Sequence, residues 1–107
     1  MRIAVVGGIF GKPPEYRAVH QTSPETLLAD GLEAQGHEVS RYGHFDRPRL
    51  STFDIVHVHH LSYGAAWAAL DRGTAPLVFT PHRADVPAGL RGRTFRAVAA
   101  RADALVA

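Results

Sequence analysis

The sequence predicts an α/β fold in which a parallel sheet is wound on both faces by helices. Three observations predict it. The first run of the chain, Arg2 to Val6, is apolar almost without interruption, as strands covered on both faces are. Short apolar runs then alternate with helix-like segments in the order strand, helix, strand, loop, strand, helix, strand, helix, strand, which lays the strands parallel. Finally, 107 residues with 46% hydrophobic and 21% charged side chains make one ordinary globular domain with a real core.

Each element has a local reason. Gly7 to Ser23 reads as a long loop, carrying Gly7, Gly8, Gly11, Pro13 and Pro14. Thr22-Ser23-Pro24-Glu25 starts a helix with a hydroxyl cap, a proline in the first turn and a carboxylate at the positive dipole end. Leu27, Leu28, Gly31 and Leu32 are expected on its inner face, and Gln35-Gly36 ends it. His37 to Tyr42 is a second, weaker strand, and a polar stretch with Gly43 and Pro48 follows. Asp54 to His60 is a third strand, rich in β-branched residues. Ser62 to Leu70 is an alanine-rich helix stopped at Gly73, and Leu77 to Thr80 is a fourth strand halted by Pro81. Arg91 to Arg101 is a helix, and Ala104 opens a buried fifth strand. A chain that stops within a strand, at Ala107, is expected to be a fragment.

Composition removes several classes of function. With no cysteine there are no disulfides, thiolate metal sites or cysteine nucleophiles, which suits a cytoplasmic setting. No apolar run approaches the ~18 residues of a membrane-spanning helix, and the start lacks the apolar core and cleavage site of a signal peptide. The net charge is only +2. Basic residues gather late, at Arg83, Arg91, Arg93, Arg96 and Arg101, as a solvated helix face or a patch for phosphate or anionic lipid. No nucleic-acid motif accompanies them, so no nucleic-acid partner is expected.

Ligands of such sheets bind beyond the carboxyl ends of the strands, so the loops after Val6, His59 and Thr80 matter most. The first loop does not fit a dinucleotide fingerprint. Gly8 and Gly11 match the last two glycines of G-x-G-x-x-G, but Val6 stands in the first position. Gly8 and Gly11 either turn the chain or let backbone approach a phosphate or sugar. On the third strand His57 and His59 point to one face. His57, in mid-strand, reads as a structural histidine, whereas His59 and His60 lie where a ligand would pass. His-x-His spacing also suits zinc, yet only His82 is well placed as a third ligand and no acid is evident to complete the set, so no metal is expected. His82-Arg83 at the fourth strand's end suits a phosphate or sugar hydroxyl, or is a loop pair without a role. Glu25 and Glu33 match E-x7-E, but their angular separation on a helix makes both ordinary surface acids.

Four stretches in this order carry a resemblance: Arg2-Ile3-Ala4-Val5-Val6, Pro24-Glu25 through Gly36-His37-Glu38-Val39, Asp54-Ile55-Val56-His57-Val58-His59, and Val78-Phe79-Thr80-Pro81-His82. The closing Ala102 to Val106 adds to it. Together they resemble the N-terminal acceptor domain of retaining glycosyltransferases of family 4, the group 1 type with a GT-B fold. The resemblance implies an incomplete Rossmann-like N-terminal lobe over residues 1–107, without the C-terminal domain that binds the nucleotide sugar. It implies transfer of a sugar from a nucleotide-diphosphate donor to an acceptor hydroxyl with retention, by the parent protein and not by this chain alone. It gives His59 a catalytic role at the donor sugar and sets His82 on the acceptor side, while the residues themselves add Gly8, Gly11 and Arg83 as candidate substrate contacts. No cofactor or essential metal is implied. The implied partners are the nucleotide sugar, the acceptor and the missing domain, and the arginine cluster adds an expected peripheral contact with anionic lipid at the inner face of the membrane. Thr22-Ser23 stand where the family pairs glycines, and His60 follows His59 where acidic or aromatic residues are common, so donor-phosphate contacts do not transfer directly. A reductase or epimerase of Rossmann type, or a non-catalytic interaction module, are the alternatives.

Overall fold

The computed structural model describes residues 1–60, 63–82 and 88–106, without the side chains of 63 and 64. Five parallel strands form one sheet: β1 (Arg2–Val6), β2 (Glu38–Tyr42), β3 (Ile55–His59), β4 (Leu77–Thr80) and β5 (Ala104–Leu105). Their order is β2-β1-β3-β4-β5, so the chain winds outward one way from β1 and then the other way from β3. Four helices connect them: α1 (Pro14–Ala18), α2 (Pro24–Ala34), α3 (Tyr63–Asp71) and α4 (Gly89–Arg101). None of the described helices is long and apolar enough to cross a membrane.

The pleat sends alternate residues of the inner strands to opposite faces of the sheet, where two cores form. Ile3 and Val5 face α2, packing on Ala29 with Leu32, Val39 and Ile55 around them. Ala4, Val6, Val56, Val58, Leu77 and Phe79 face the other way, onto α3 and α4 through Ala65, Ala68, Phe95 and Val98. Helices on both faces make the sheet doubly wound, as the unbroken apolar β1 requires. No helix joins β2 to β3. That connection instead sends Leu50 and Phe53 into the larger core.

Two aspartates tie the amino ends of strands together. Asp54 Oδ2 accepts the Arg2 main-chain N–H at 2.7 Å. Asp103 Oδ2 accepts the Leu77 N–H at 2.8 Å and pairs with Arg72, and these contacts hold its carboxyl below the usual carboxylate range. Each strand that begins after an aspartate is thus pinned to its neighbour's first residue.

Several expectations are corrected in detail. The loop from Gly7 to Ser23 contains a 3-10 turn at Gly8–Gly11 and the short helix α1, which starts at Pro14 because a proline at the first position lacks only an N–H the helix would not use. Helix α4 begins at Gly89, two residues before Arg91. His37, Asp54 and His60 lie just outside their strands. The start of α3 at Ser62 lies outside the described residues. The fifth strand is exposed at both positions, because it forms the sheet's edge. In α2 the inner stripe is Glu25, Leu28, Ala29 and Leu32, while Leu27 is 56% exposed and Gly31 faces open space.

Glycines distinguish two kinds of position. A Cβ on buried Gly43, just past β2, would lie 2.8 Å from Gly11 Cα and 2.9 Å from Gly11 N, where only backbone could yield. At Gly31, inside α2, it would meet nothing within 4 Å. Gly43→Ala is therefore expected to cost about 1–3 kcal/mol, whereas Gly31→Ala should add about 0.5–1 kcal/mol through helix propensity. Urea denaturation of the two variants checks this. Equal effects would contradict the backbone contact.

Candidate functional site

The sheet order places a topological switch between β1 and β3, and crevices at such points receive ligands at the carboxyl ends of the strands. Here the crevice is lined by histidine. His57 and His59 share a face of β3 and stack at 4.4 Å between ring centroids. His57 Nε2 and the Thr80 hydroxyl form a 2.8 Å hydrogen bond across to β4, which fits the structural role expected of a mid-strand histidine. His59 Nδ1 and His82 Nε2 form another, also 2.8 Å. His60 packs against His82 at 4.6 Å and sets its Nε2 3.6 Å from Glu25 Oε1.

Two of these histidines are held in a left-handed backbone conformation. His60 has φ 64° and His82 φ 56°, the first directly after β3 and the second two residues after β4. Such a conformation costs a side-chain-bearing residue roughly 1–2 kcal/mol. Strain of this kind concentrates at functional sites.

Burial sets the charge state of the cluster. His59 is only 3% exposed. Burial, followed by the neighbouring His57, His82 and His60, pushes its pKa down to about 3. His57 falls to about 4, first through burial and then through His82. His82 also falls, chiefly through burial and then through His60, although the residue as a whole is exposed. His57 and His59 are therefore uncharged at neutral pH. The Nε2 of His59 is buried without a hydrogen-bond partner among the described residues.

Sequence reasoning missed two members of this site. Glu25 is not a surface acid: it is 5% exposed and lies beneath His60. Helix α2 delivers it there because Ser23 caps the helix, its Oγ accepting the Thr26 N–H at 3.3 Å, so the first turn points back over the sheet end. Gly7 makes the space, since a Cβ there would sit 2.7 Å from Glu25 Cγ. The signal was present in the helical stripe, because Glu25 falls on the same face as Leu28, Ala29 and Leu32. His44 is the second. It packs where a Cβ on Gly8 would lie 2.9 Å from its Cε1, and burial lowers its pKa despite a hydrogen bond with the His59 main chain. Nothing in its local sequence marks it.

Of the residues singled out from sequence, His59 and His82 meet directly, and Gly8 lines a crevice with Glu25, His44 and His60. That crevice encloses about 340 Å³. Gly11 is exposed, packs toward Gly43 and lines an adjoining hollow with Lys12 and Asp46. Arg83 lies outside the described residues. Glu33 stands apart at the solvated end of α2, paired with Arg41, which holds its carboxyl below the usual range. Arg91, Arg93, Arg96 and Arg101 are exposed on α4.

Chemically, the arrangement offers neutral imidazoles that exchange hydrogen bonds with hydroxyls, a buried carboxylate, and main chain at Gly8 open to close approach. His82 and Glu25 also complete a group with His59 whose potential ligand atoms lie within 4.8 Å of one another. The absence of an acid near the histidines, expected from sequence, is thus corrected: α2 brings one in from 34 residues before His59. No protein-family model matches the chain, and no curated protein or solved structure matches it.

Proposed function

We propose that this chain is the acceptor-side lobe of a retaining glycosyltransferase, with the crevice between β1 and β3 receiving the sugar of a nucleotide-diphosphate donor. The observation that carries the reading is His59. It ends β3 at the switch point, is buried and uncharged, is fixed through Nδ1 by His82, and keeps Nε2 without a protein partner. A neutral imidazole so placed can bind a sugar hydroxyl and hold the anomeric carbon toward the acceptor. In the transfer, the bond from anomeric carbon to diphosphate oxygen breaks, a bond to the acceptor oxygen forms, and the acceptor's proton leaves with it. Configuration is retained.

The remaining residues take supporting roles. His57, stacked on His59 and bonded to Thr80, fixes the ring's tilt as a positioning residue. Gly8 lets a substrate approach main chain, and His82 faces the acceptor. In this reading the nucleotide half of the donor is bound by a second lobe. No dinucleotide reading is favoured, because the glycines after β1 form a 3-10 turn and not a helix N-terminus that could hold a pyrophosphate.

The test uses the chain joined to its nucleotide-binding lobe. His59→Ala is expected to lower the transfer rate about a hundredfold or more while the circular dichroism spectrum is preserved. A variant that transfers at the wild-type rate would remove His59 from the mechanism.

A further inference from the structure

We propose that Glu25, His59 and His82 bind a divalent transition-metal ion of the zinc class. The three side chains come from the first turn of α2, the end of β3 and the residue beyond Pro81, and the fold alone brings them together. Each offers one ligand atom, and these atoms lie within 4.8 Å of one another. The histidine nitrogens, His59 Nδ1 and His82 Nε2, are 2.8 Å apart. With zinc–nitrogen bonds of about 2.0–2.1 Å, the edge of a tetrahedral site is about 3.4 Å, so the pair must open by about half an ångström. The ion then takes the place of the proton the two rings share.

Three features favour an ion over a purely structural cluster. First, His59 is only 3% exposed, and its one side-chain hydrogen bond among the described residues is to His82, made by the same Nδ1 that would ligate the ion. Second, the carboxylate is buried at 5% exposure in a space that Gly7 keeps clear, 3.6 Å from His60 Nε2. Third, the donors are two imidazoles and one carboxylate, a set that suits zinc with an open position and not calcium or magnesium, which require oxygen ligands. The fourth position is left to water or to His60, whose ring lies 4.6 Å from His82. His60 and His82 are both strained in backbone, which orients their rings before any ion arrives.

The inference goes beyond the transfer reading, and its test contains no sugar, so either can fail alone. The full chain is titrated with Zn²⁺ against a chromophoric chelator, and with Co²⁺ for its visible bands. One equivalent should bind, with the intense bands of a four-coordinate ion, and Zn²⁺ should shift the imidazole resonances of His59 and His82. Glu25→Gln and His82→Ala should each weaken Zn²⁺ binding at least about tenfold, while His37→Ala, at the opposite end of the sheet, should leave it unchanged. Lack of binding at millimolar Zn²⁺ overturns the proposal. So does affinity that survives both Glu25→Gln and His82→Ala, or a resonance shift confined to His20 or His37. The wild-type resonances read the site without any substitution, so a variant that fails to fold does not remove the test.

Discussion

Phe79→Ala is expected to remove about 3–5 kcal/mol of folding free energy. Phe79 is completely buried in β4, lies beside Val58 in the sheet register and packs its ring 5.6 Å from that of Phe95. It thus joins the sheet to α4 at the centre of the larger core, and truncation loses both the transfer energy and the contacts around the cavity. Domains of this size have total stabilities of about 5–15 kcal/mol, so the variant should be partly unfolded at room temperature or melt well over about 10 °C lower. Leu105→Ala offers the contrast. It lies next to Phe79 in register, but on the edge strand and 56% exposed, so its loss should be within about 1 kcal/mol. Thermal and urea unfolding of both variants check the pair. A loss below about 1.5 kcal/mol for Phe79→Ala would mean that the core does not close around that ring.

Acid should weaken the fold well before carboxylates titrate. An unfolded histidine takes up a proton near pH 6.5, whereas His59 in the fold resists until about 3 and His57 until about 4. Both pKa values are depressed on folding. Their stabilising effect is therefore complete above pH 6.5 and is lost as the pH falls toward the folded values. His59 alone should contribute a slope of about 1.4 kcal/mol per pH unit below 6.5, or roughly 3 kcal/mol by pH 4.5. His57, which solvent partly reaches, adds less. The groups facing them are His60, His82, His44 and Glu25, and the histidines among these oppose a further positive charge. Glu33 and Asp103 lose their own stabilising contacts only at lower pH, from near 4.5 and 3.8 downward. Chemical denaturation between pH 7 and 5 in metal-free buffer isolates the histidines. A flat profile there would show that the cluster is wetter than its burial implies, and His59→Gln should flatten the slope if the assignment is correct.

Much of this architecture is legible in the chain because it is written in local periodicity. The unbroken apolar run of β1, the Ser-Pro-Glu start of α2, the stop at Gly73 with φ 61° and the halt at Pro81 each follow from short-range sterics and hydrogen bonding. Hence the α/β class, the parallel sheet and the succession of strands were all readable. What local patterns misplaced was a matter of facing. Leu27 and Leu28 are both leucine, and only packing against Val5 and Ile3 decides that the stripe runs through Glu25, Leu28, Ala29 and Leu32, so that Leu27 faces water. The apolar residues of β5 likewise look buried in sequence, and the sheet leaves them at its edge.

By itself, then, the sequence determined which segments are strands and helices, which loops sit at the carboxyl ends of strands, and that His59 and His82 belong there. The tertiary structure decided how those loops meet. Strand order put β1 beside β3, and thereby brought Gly7, Gly8 and the α2 start next to His59 and His60. That placement turned Glu25 from a helix-capping acid into a buried partner of three histidines, and left His59 uncharged. The physical reason is range: caps, turns and pleats act over a few residues, whereas desolvation and close contact depend on whatever the fold brings together across the chain.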